Sequence, residues 1–550
     1  MNQLLSRIAV SVAAALSLAA QAPPPLVESI EVNVVNVDVV VTDKSGKRIT
    51  GLTSDDFEIF DRGKRRAITN FSEFGAPPSS AADAAASRAA APAPMRRRNT
   101  VIFFIDSTSV DPRRRHAVFE QMRTFAGAAL QPGDRAMVAT WNQRLRITQP
   151  FIDSAEEIQR TLAEAGDDAA GFGIVNNRRR TQQLIEGELD AGIRGVIPMG
   201  AAYANACMHA EAYAEEMFAH SRNLTIGVSR VLDTFAAPED KKILVYVGDY
   251  LPQNAGAEMW QLVEDLFATR LDLRREVHRR RAAPIATWLA SLVRSANASG
   301  VTTYMISGGG GLHQLNVDAS ESEPFSATAQ NVLEAETHVS FTNTAELTGG
   351  VAFTGGDPRL VLKKIADDFH SYYSIGFSPD GKADGKERRI EVRAKNPRYV
   401  VRYRQSYVLR STADEVADRV AANVYQAEAA GELVVRADAD AAIDEGRNRI
   451  RVPVKVRVEG RNVALIPRDG ALAGDLTVFV CGGSAKAGTS EVLRHSQRLN
   501  IALSDEARFR AGHLTFTFDV ILERKEKSTI SAGVLDTVSG SWGLARADSL

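Results

Sequence analysis

Two aspartates follow apolar runs of the sequence, in positions where carboxylates can take part in ligand binding. Residues 101–105 and 243–247 are uninterrupted apolar runs; Asp106 follows the first, and Gly248 and Asp249 follow the second. Short runs of this kind are typical of central parallel strands that are buried on both faces. Open α/β sheets bind ligands at the carboxyl ends of their strands. The sequence therefore predicts that Asp106 and Asp249 lie at a ligand-binding edge; the alternative is that both aspartates only cap ordinary turns.

Other residues with chemically active side chains match known sites less well. Residues 308–311 are four glycines after a predicted strand, but no Lys-Ser or Lys-Thr pair follows them, so a phosphate loop is not indicated. His209 and His220 are about 16 Å apart on one predicted helix, which is too far to bind one metal ion. Glu216 and His220, four residues apart, are more typical of a solvated pair. The sequence contains no nucleophile elbow, zinc-protease or Cys/His signature, so we expect a protein that is not an enzyme.

The order of strands and helices around the two aspartates predicts the fold. Helical segments separate the predicted strands, which is the order of a doubly wound parallel sheet. Two long helices are predicted over residues 201–235 and 257–281, because both stretches are rich in good helix formers and contain no proline. The predicted strands cover residues 101–105, 136–141, 242–247 and 301–306.

Short β segments precede and follow this α/β region. Valines alternate with polar residues over residues 32–42, which indicates a half-buried strand in a small N-terminal β unit. From residue 431 onward, short β runs separated by turn residues predict a C-terminal β-sandwich. Pro453 lies within one of these runs and predicts an edge strand, because proline cannot donate a ladder hydrogen bond. The complete prediction is an α/β protein whose doubly wound parallel sheet carries a long helical insertion, with the β unit before it and the β-sandwich after it.

The predicted division of the chain follows these patterns. Residues 1–22 contain Arg7 and then an apolar run of about 13 residues, which is typical of a signal peptide and too short to span a membrane. No later stretch contains 18 apolar residues without a charge. We therefore expect a secreted or periplasmic protein with no transmembrane segment in its mature form. The other predicted limits are 27–75 for the small β domain, 76–98 for an Ala/Pro-rich linker, 99–410 for the α/β domain with its helical insertion and a C-terminal β extension, and 411–550 for a helix with the β-sandwich.

Charge and cysteine content exclude several classes of protein. The chain has 66 Lys and Arg against 68 Asp and Glu, a net charge of −2, so we do not expect it to bind nucleic acid. Its two cysteines, Cys207 and Cys481, cannot form a disulfide framework or a four-thiolate zinc site. They lie in different predicted domains, and we expect both to be free thiols.

Several motifs occur in an order that resembles a known family. They are Gly51-Leu-Thr-Ser-Asp-Asp-Phe57, Asp61-Arg-Gly63, the strand that ends at Asp106, residues 241–249, Tyr372-Tyr-Ser-Ile-Gly-Phe-Ser-Pro-Asp380 and Arg388-Arg-Ile-Glu-Val392. Together they resemble the von Willebrand factor A-related proteins described from acidobacteria, over roughly residues 30–410. The resemblance implies a von Willebrand factor A-like, Rossmann-like domain within residues 99–410. Members of the wider superfamily bind protein ligands, often through a metal ion-dependent adhesion site.

The resemblance also implies where such a metal site would lie. The superfamily supplies its oxygen ligands from Asp-x-Ser-x-Ser on a first loop, a threonine on a second and an aspartate on a third. Here Asp106 and Thr108 match the first loop, Val110 replaces its last serine, and Asp249 matches the third loop. The second loop would fall at residues 175–181, which offer no aligned threonine and contain three consecutive arginines that would repel a cation. We therefore expect Asp106, Thr108 and Asp249 as metal ligands, with Mg²⁺ bound weakly or not at all. Without an ion, either two like charges would remain close together or an arginine would act as the counter-ion.

The expected function follows from this site. We expect an exported, non-enzymatic module that binds a protein partner of unspecified identity through the strand-end loops near Asp106 and Asp249. The alternative, a structural or scaffolding protein that assembles through its long helices and has no working metal site, stays open at this point.

Overall fold

A computed structural model describes most of the chain. The described residues are 34–75, 97–110, 115–167, 173–235, 240–268, 283–308, 327–355, 358–425, 427, 431–468, 470–484, 488–524 and 528–548. The predicted signal peptide over residues 1–22 and all but the last two residues of the predicted linker lie outside these ranges. No helix within them is long and apolar enough to cross a membrane.

The first of four strands near the start of the described chain follows the alternation of the sequence. In β1 (Val35–Thr42), the side chains of Val35, Val37 and Val39 are buried, whereas Asn36 is exposed. This is the pattern of a strand that packs one face on a core. The other three strands are β2 (Phe57–Asp61), β3 (Lys64–Arg66) and β4 (Ile68–Phe74).

A six-stranded sheet forms the centre of the α/β part of the chain. Its strands are β5 (Asn99–Asp106), β6 (Arg135–Trp141), β7 (Leu145–Ile152), β8 (Lys241–Val247), β11 (Val301–Ile306) and β12 (Ala352–Phe353), while the short strands β9 (Asn254–Ala255) and β10 (Ala283–Pro284) pair with each other. The spatial order is β12-β11-β8-β5-β6-β7, and all neighbours are parallel except the antiparallel pair β6 and β7. Every residue of β5 is buried. The apolar run 101–105 is thus a central strand, as its composition predicts.

Helices pack on both faces of this sheet. They are α1 (Arg115–Ala129), α2 (Ala155–Asp167), α3 (Gly173–Ile193), α4 (Met199–Leu232), α5 (Ala257–Leu266), α6 (Ala286–Ser299), α7 (Ala327–Leu347) and α8 (Pro358–His370). On one face, α1, α2 and α8 share a core with Phe103, and on the other, α3 to α7 share a core with Phe104. Successive strand residues point to opposite faces, which explains why both phenylalanines are buried. The mixed α/β class predicted from the sequence is confirmed.

The long helices differ in how well they match their predictions. Helix α4 is continuous over 34 residues, which confirms most of the helix predicted over residues 201–235. Gly227 lies inside this helix without breaking it. A residue that has no Cβ is needed at this position, because a Cβ would come within 2.6 Å of the Trp141 ring. Helix α5 ends at Leu266, well before the end of the helix predicted over residues 257–281. Residues 267 and 268 are not helical, and residues 269–282 lie outside the described ranges.

Four strands after α8 complete the β unit that β1 begins. They are β13 (Tyr372–Phe377), β14 (Glu387–Ala394), β15 (Val400–Tyr403) and β16 (Ser406–Val408). Strand β1 lies between β13 and β15, and β2 lies between β14 and β3. The predicted limits 27–75 and 99–410 therefore separate strands that hydrogen-bond to one another, with Val37 opposite Ile375 and Ile59 opposite Val392. The α/β part is thus inserted between the two halves of this β unit. Strands that pair across some 300 residues leave no short-range pattern in the sequence, so this arrangement could not be predicted from it.

The C-terminal part consists of one helix followed mainly by strands. The elements are α9 (Thr412–Ala422), β17 (Val435–Ala439), β18 (Ile443–Gly446), β19 (Arg449–Glu459), β20 (Ile466–Arg468), β21 (Ala471–Ser484), β22 (Gly488–Thr489), β23 (Leu493–Ala502), α10 (Glu506–Ala511), β24 (His513–Glu523), β25 (Thr529–Asp536) and β26 (Trp542–Asp548). One sheet contains β17, β18, β19 and β24, and the other contains the remaining strands. Their inner faces share one core, to which Val454 and Val478 belong. Cys481 on β21 and Cys207 on α4 are not joined by a disulfide bond.

The strand that contains Pro453 is not an edge strand. Strand β19 pairs with β24 along its whole length, and on its other side with both β17 and β18. Pro453 falls between the two partners on that second side, because the β17 pairing begins at Val454 and the β18 pairing ends at Arg451. The edge-strand prediction was therefore wrong: a central strand tolerates proline here because two short partners leave a gap opposite it.

Candidate functional site

The two aspartates lie at the same edge of the central sheet. Strands β5 and β8 are parallel neighbours, with Ile105 opposite Val247, so Asp106 and Asp249 follow their strands at one end. Gly248 lies where the loop after β8 approaches the loop after β5. A Cβ at this position would come within 3.0 Å of the Asp106 Cβ atom and of the Ser109 hydroxyl oxygen. The neighbouring position of these strand ends, implied by the family resemblance, is confirmed.

The first loop is held by hydrogen bonds within itself. Oδ1 of Asp106 accepts hydrogen bonds from the backbone N–H of Thr108 at 3.0 Å and from its hydroxyl at 2.5 Å. The Asp106 side chain is completely buried, and Thr108 is 2% exposed. Oδ1 of Asp106 therefore caps the turn, as the alternative interpretation of the sequence predicts. The Thr108 hydroxyl is already engaged as a hydrogen-bond donor to this oxygen.

Two serines that the sequence interpretation missed connect the strand ends. The hydroxyl of Ser109 donates to the Asp106 carbonyl at 3.3 Å and accepts from the backbone N–H of Asp249 at 2.9 Å. The hydroxyl of Ser307, directly after β11, donates to Oδ1 of Asp249 at 2.9 Å. The sequence signal that could have found Ser307 was its position, since it follows the predicted strand 301–306 as Asp106 follows the strand 101–105. The loops after β5, β8 and β11 thus form one hydrogen-bonded cluster, which we call the strand-end cluster (Asp106, Thr108, Ser109, Asp249 and Ser307).

A histidine from the helical layer faces this cluster. Nε2 of His220, on α4, lies 3.9 Å from Oδ2 of Asp106, and neither atom has a hydrogen-bond partner among the described residues. The His220 side chain is 10% exposed, so its predicted role in a solvated pair with Glu216 was wrong. Glu216 instead accepts a hydrogen bond from the amide of Asn177 at 2.8 Å. Among the described residues, an imidazole thus faces the Asp106 carboxylate, where the sequence analysis offered an arginine.

The phenol of Tyr246 belongs to the same buried environment. Tyr246 is on β8 and is almost fully buried, with its ring stacked on Phe104. Burial, followed by the charges of Asp106 and Asp249, raises the pKa of Tyr246 well above its ordinary value. The hydroxyl group is therefore neutral over the physiological pH range, and it cannot act as a counter-ion for either aspartate.

The segment predicted as a second metal-binding loop is helical. Residues 175–181 lie inside α3, so the correspondence with a threonine-bearing loop was wrong. Thr181 is buried in this helix. The charge of Arg178 lowers the pKa values of Tyr213 and Glu258, against the larger effect of burial, which raises both. A helix takes the place of this loop because the stretch continues the helical pattern up to Ile193.

The donor set does not fit a tightly bound metal ion. In the described parts of the chain, no three His, Cys, Asp or Glu side chains converge on one point. Oδ2 of Asp106 is a buried oxygen without a hydrogen-bond partner, but Oδ1 and the Thr108 hydroxyl are engaged with each other. A Mg²⁺ ion requires about six oxygen ligands in near-octahedral positions. Asp106, Thr108 and Asp249 alone would leave most of this shell to water.

The fold and the strand-end cluster together describe an α/β protein with a possible ligand site at the carboxyl edge of its sheet. Neither a protein-family model nor a curated protein sequence matches the chain. Among solved structures, similar ones include an aerotolerance-related membrane protein from Bacteroides fragilis, with 8% identity over 49% of this chain and 98% of that chain and a TM-score of 0.23. A von Willebrand factor type A protein from Catenulispora acidiphila is 10% identical over 82% of this chain and 66% of that chain, with a TM-score of 0.23. The conserved hypothetical protein BatB from Bacteroides thetaiotaomicron is 9% identical over 49% of this chain and 96% of that chain, with a TM-score of 0.20. Likenesses at these TM-scores carry no functional argument.

Proposed function

We propose that the chain is an exported, non-enzymatic protein-binding protein of the von Willebrand factor A-related type, with a doubly wound central domain and a C-terminal β-sandwich. Its binding edge would be the carboxyl end of the central sheet, near Asp106 and Asp249. The observation that carries the proposal is the strand-end cluster, in which Ser109 and Ser307 connect three strand ends. Open α/β sheets bind their ligands at this edge.

The hydroxyl groups of the cluster support a role without catalysis. Ser109 uses its hydroxyl both as a donor to Asp106 and as an acceptor from Asp249. The Thr108 hydroxyl donates to Asp106, and the Ser307 hydroxyl donates to Asp249. A nucleophilic hydroxyl requires a base that accepts its proton and a free path to substrate. The hydroxyls of Thr108 and Ser307 do donate to carboxylates, but both residues are buried, as Ser109 is. These hydroxyls fix the positions of the loops, which is what a binding edge requires.

The burial of the cluster limits which residues a partner could touch. Asp106, Thr108 and Ser109 are buried, whereas Asp249 is half-buried. If α4 keeps its present position, a partner protein would therefore contact Asp249 and the exposed residues around it. Asp106 would contribute indirectly, by holding the first loop in place. We propose that this binding needs no tightly held ion, and that any Mg²⁺ binds weakly to Asp106, Thr108 and Asp249 with water completing its shell.

The test is a pull-down from the exported protein fraction, with and without a chelator. The wild type and Asp153→Ala, a control at the exposed end of β7, should retain the same partner. Asp249→Ala should lose it, and the chelator should have no effect on the wild type. A partner that Asp249→Ala retains would place the binding surface elsewhere. The mass of the exported protein tests export and signal-peptide removal separately.

A second candidate function is assembly through the helical layer. Four large apolar side chains at and near the connection between α3 and α4 are exposed: Leu184 by 41%, Ile193 by 68%, Val196 by 72% and Met208 by 59%. Exposed apolar groups that form one patch mark interaction surfaces, and Ile193 and Val196 are only three residues apart in this connection. Light scattering on the wild type and on the double variant Ile193→Ser/Val196→Ser distinguishes the two candidate functions. If the wild type assembles and the double variant does not, the result favours the scaffolding role.

A further inference from the structure

A cavity of about 230 Å³ lies at the end of the central sheet opposite to Asp106 and Asp249. Its wall includes Lys242 and Val301, at the beginnings of β8 and β11, together with Val35 of β1. Arg404 and Arg419, the latter on α9, line its other side. The cavity therefore lies where the β unit, the α/β part and the first helix of the C-terminal part meet.

The charges around this cavity are not fully compensated. Five of its lining residues are Lys or Arg, and four are Asp or Glu. Most of the acidic groups are already committed to arginines, so they cannot neutralise the remaining cations. The ion pairs join Asp38 to Arg97 at 3.0 Å, Asp240 to Arg98 at 2.9 Å, and Asp418 to Arg410.

Lys242 and Arg404 differ from those arginines in their hydrogen-bond partners. The ammonium group of Lys242 donates to the carbonyl of Ser299 at 3.2 Å, and the guanidinium of Arg404 donates to the carbonyls of Asn297 and Asn36, both at 2.8 Å. Among the described residues, no carboxylate lies within ion-pair distance of either group. A carbonyl dipole compensates a buried full charge less well than a carboxylate does. Both cations therefore retain an attraction for an anion.

The electrostatics of Lys242 agree with this geometry. Burial, followed by the charges of Arg410, Arg419 and Arg404, lowers the pKa of Lys242 to about 7. Burial also lowers the pKa of Arg404. In both cases the positive form is destabilised by its surroundings, and a bound anion would offset that destabilisation.

We propose that this cavity binds a small multivalent oxyanion, with the chemistry of phosphate or sulfate, through Lys242 and Arg404. Ammonium and guanidinium groups form strong charge-assisted hydrogen bonds to such oxygens, and guanidinium can do so with two parallel bonds. The cavity, at about 230 Å³, is smaller than the roughly 300–1,000 Å³ of pockets for drug-sized ligands, and it has room for an ion of this size. The bound anion would connect the β unit to the α/β part, because Arg404 belongs to the first and Lys242 to the second.

The experiment is titration calorimetry of the full chain with inorganic phosphate and, separately, with sulfate, at an ionic strength held constant with chloride. The wild type should bind at least one of the two ions. Lys242→Met and Arg404→Gln should each weaken that binding by about tenfold or more, because each removes one charge-assisted contact. Arg404→Lys keeps the charge and should bind more tightly than Arg404→Gln. Lys395→Met, which removes an exposed lysine outside the cavity, should bind as the wild type does.

Thermal unfolding without added anion checks that each variant is folded. Lys242→Met should fold, since methionine keeps the apolar stem and removes a buried charge, so this variant carries the test even if Arg404→Gln does not fold. The proposal is overturned if the wild type binds neither ion at millimolar concentration. It is equally overturned if a folded Lys242→Met binds with wild-type affinity.

Discussion

Nε2 of His220 lies 3.9 Å from Oδ2 of Asp106, so a side chain of the helical layer contacts the end of a central strand. His220 belongs to α4, and Asp106 is the last residue of β5. The first loop of the candidate site is therefore closed by the helical layer. Its buried carboxylate faces an imidazole ring.

The first prediction concerns the carboxylate of Asp106. Asp106→Asn keeps an oxygen that can accept from Thr108, and its amide group can donate to His220, so we expect a free energy of unfolding no lower than that of the wild type by more than about 1 kcal/mol. Asp106→Ala leaves the Thr108 donors unpaired and should cost about 1–3 kcal/mol. Urea unfolding of both variants measures the difference. Equal destabilisation by Asn and Ala would show that the negative charge itself holds the loop.

The second prediction concerns metal binding at the same residues. Calorimetry with Mg²⁺ and with Mn²⁺ should show binding no tighter than about millimolar for the wild type, because few protein oxygens are available to fill the ion's shell. Any heat of binding should disappear in Asp106→Ala. Binding that persists in that variant would place the ion elsewhere, and micromolar binding by the wild type would contradict the poor fit of the donor set.

The third prediction tests the close approach of the two loops. A Cβ at Gly248 would lie 2.8 Å from the Tyr246 hydroxyl oxygen, closer than such atoms pack without movement. Gly248→Ala should therefore cost about 1–3 kcal/mol and displace the strand-end cluster. The control is Gly187→Ala on α3, where a Cβ meets no atom within 4 Å and alanine should stabilise the helix by up to about 1 kcal/mol. Thermal unfolding of both variants checks the prediction, and equal shifts of the two midpoints would contradict it.

Local sequence patterns were sufficient for four strands of the central sheet and for the position of its two aspartates, but not for β7 and β12. Asp106 and Asp249 could be placed because an uninterrupted apolar run indicates a buried strand, and its last residue marks a strand end. The continuous helix α4 followed from propensity alone. In each case the information lies within about 30 residues of sequence.

The parts that sequence reasoning missed depend on long-range packing. His220 reaches Asp106 only because α4 crosses the carboxyl edge of the sheet, which no helical periodicity reveals. The pairing of β1 with β13 joins residues more than 300 positions apart. Residues 175–181 were assigned to a loop by family resemblance, although their own composition is compatible with the helix that the structure contains.

The fourth prediction concerns a buried acid in the helical layer. The Tyr213 hydroxyl donates to Oε1 of Glu258 at 2.7 Å, while Oε2 has no hydrogen-bond partner in the described ranges. Burial raises the pKa of Glu258. The folded chain thus holds this proton to a higher pH than the unfolded chain does, so the contribution to stability is fully present in acid and is lost as pH rises through the folded-state pKa.

Glu258→Gln removes that charge and retains an acceptor for Tyr213. At pH 7 we expect the variant to be more stable than the wild type in urea, and the difference should shrink as the pH falls toward about 4.5. Glu346→Gln, at an exposed position of α7, serves as the control and should show little difference at either pH. A Glu258→Gln variant that is less stable at pH 7 would mean that the ionised carboxylate has a stabilising partner.

The fifth prediction concerns the pH dependence of stability at the start of β8. Lys241 is 2% exposed, and its ammonium group donates to the Asp368 carbonyl at 2.5 Å and lies 3.6 Å from the centre of the Tyr372 ring. Burial is the main cause that lowers the pKa of Lys241 from 10.5 to about 7, against the opposing charges of Asp38 and Asp368. Lys242 has a similarly lowered pKa of about 7.

Between pH 7 and 10.5 the unfolded chain therefore binds more protons at these two lysines than the folded chain does. The free energy of unfolding should rise with pH across this window, by at most about 1.4 kcal/mol per pH unit for each lysine, and each contribution should be constant below it. Lys241→Met should lose one of the two contributions, so its stability should rise less steeply than that of the wild type in urea unfolding between about pH 7.5 and 9.5. The exposed-lysine control Lys395→Met should keep the wild-type slope. If Lys241→Met also keeps it, Lys241 stays protonated in the folded chain throughout this range, and its contacts with Asp368 and Tyr372 hold the charge against the effect of burial.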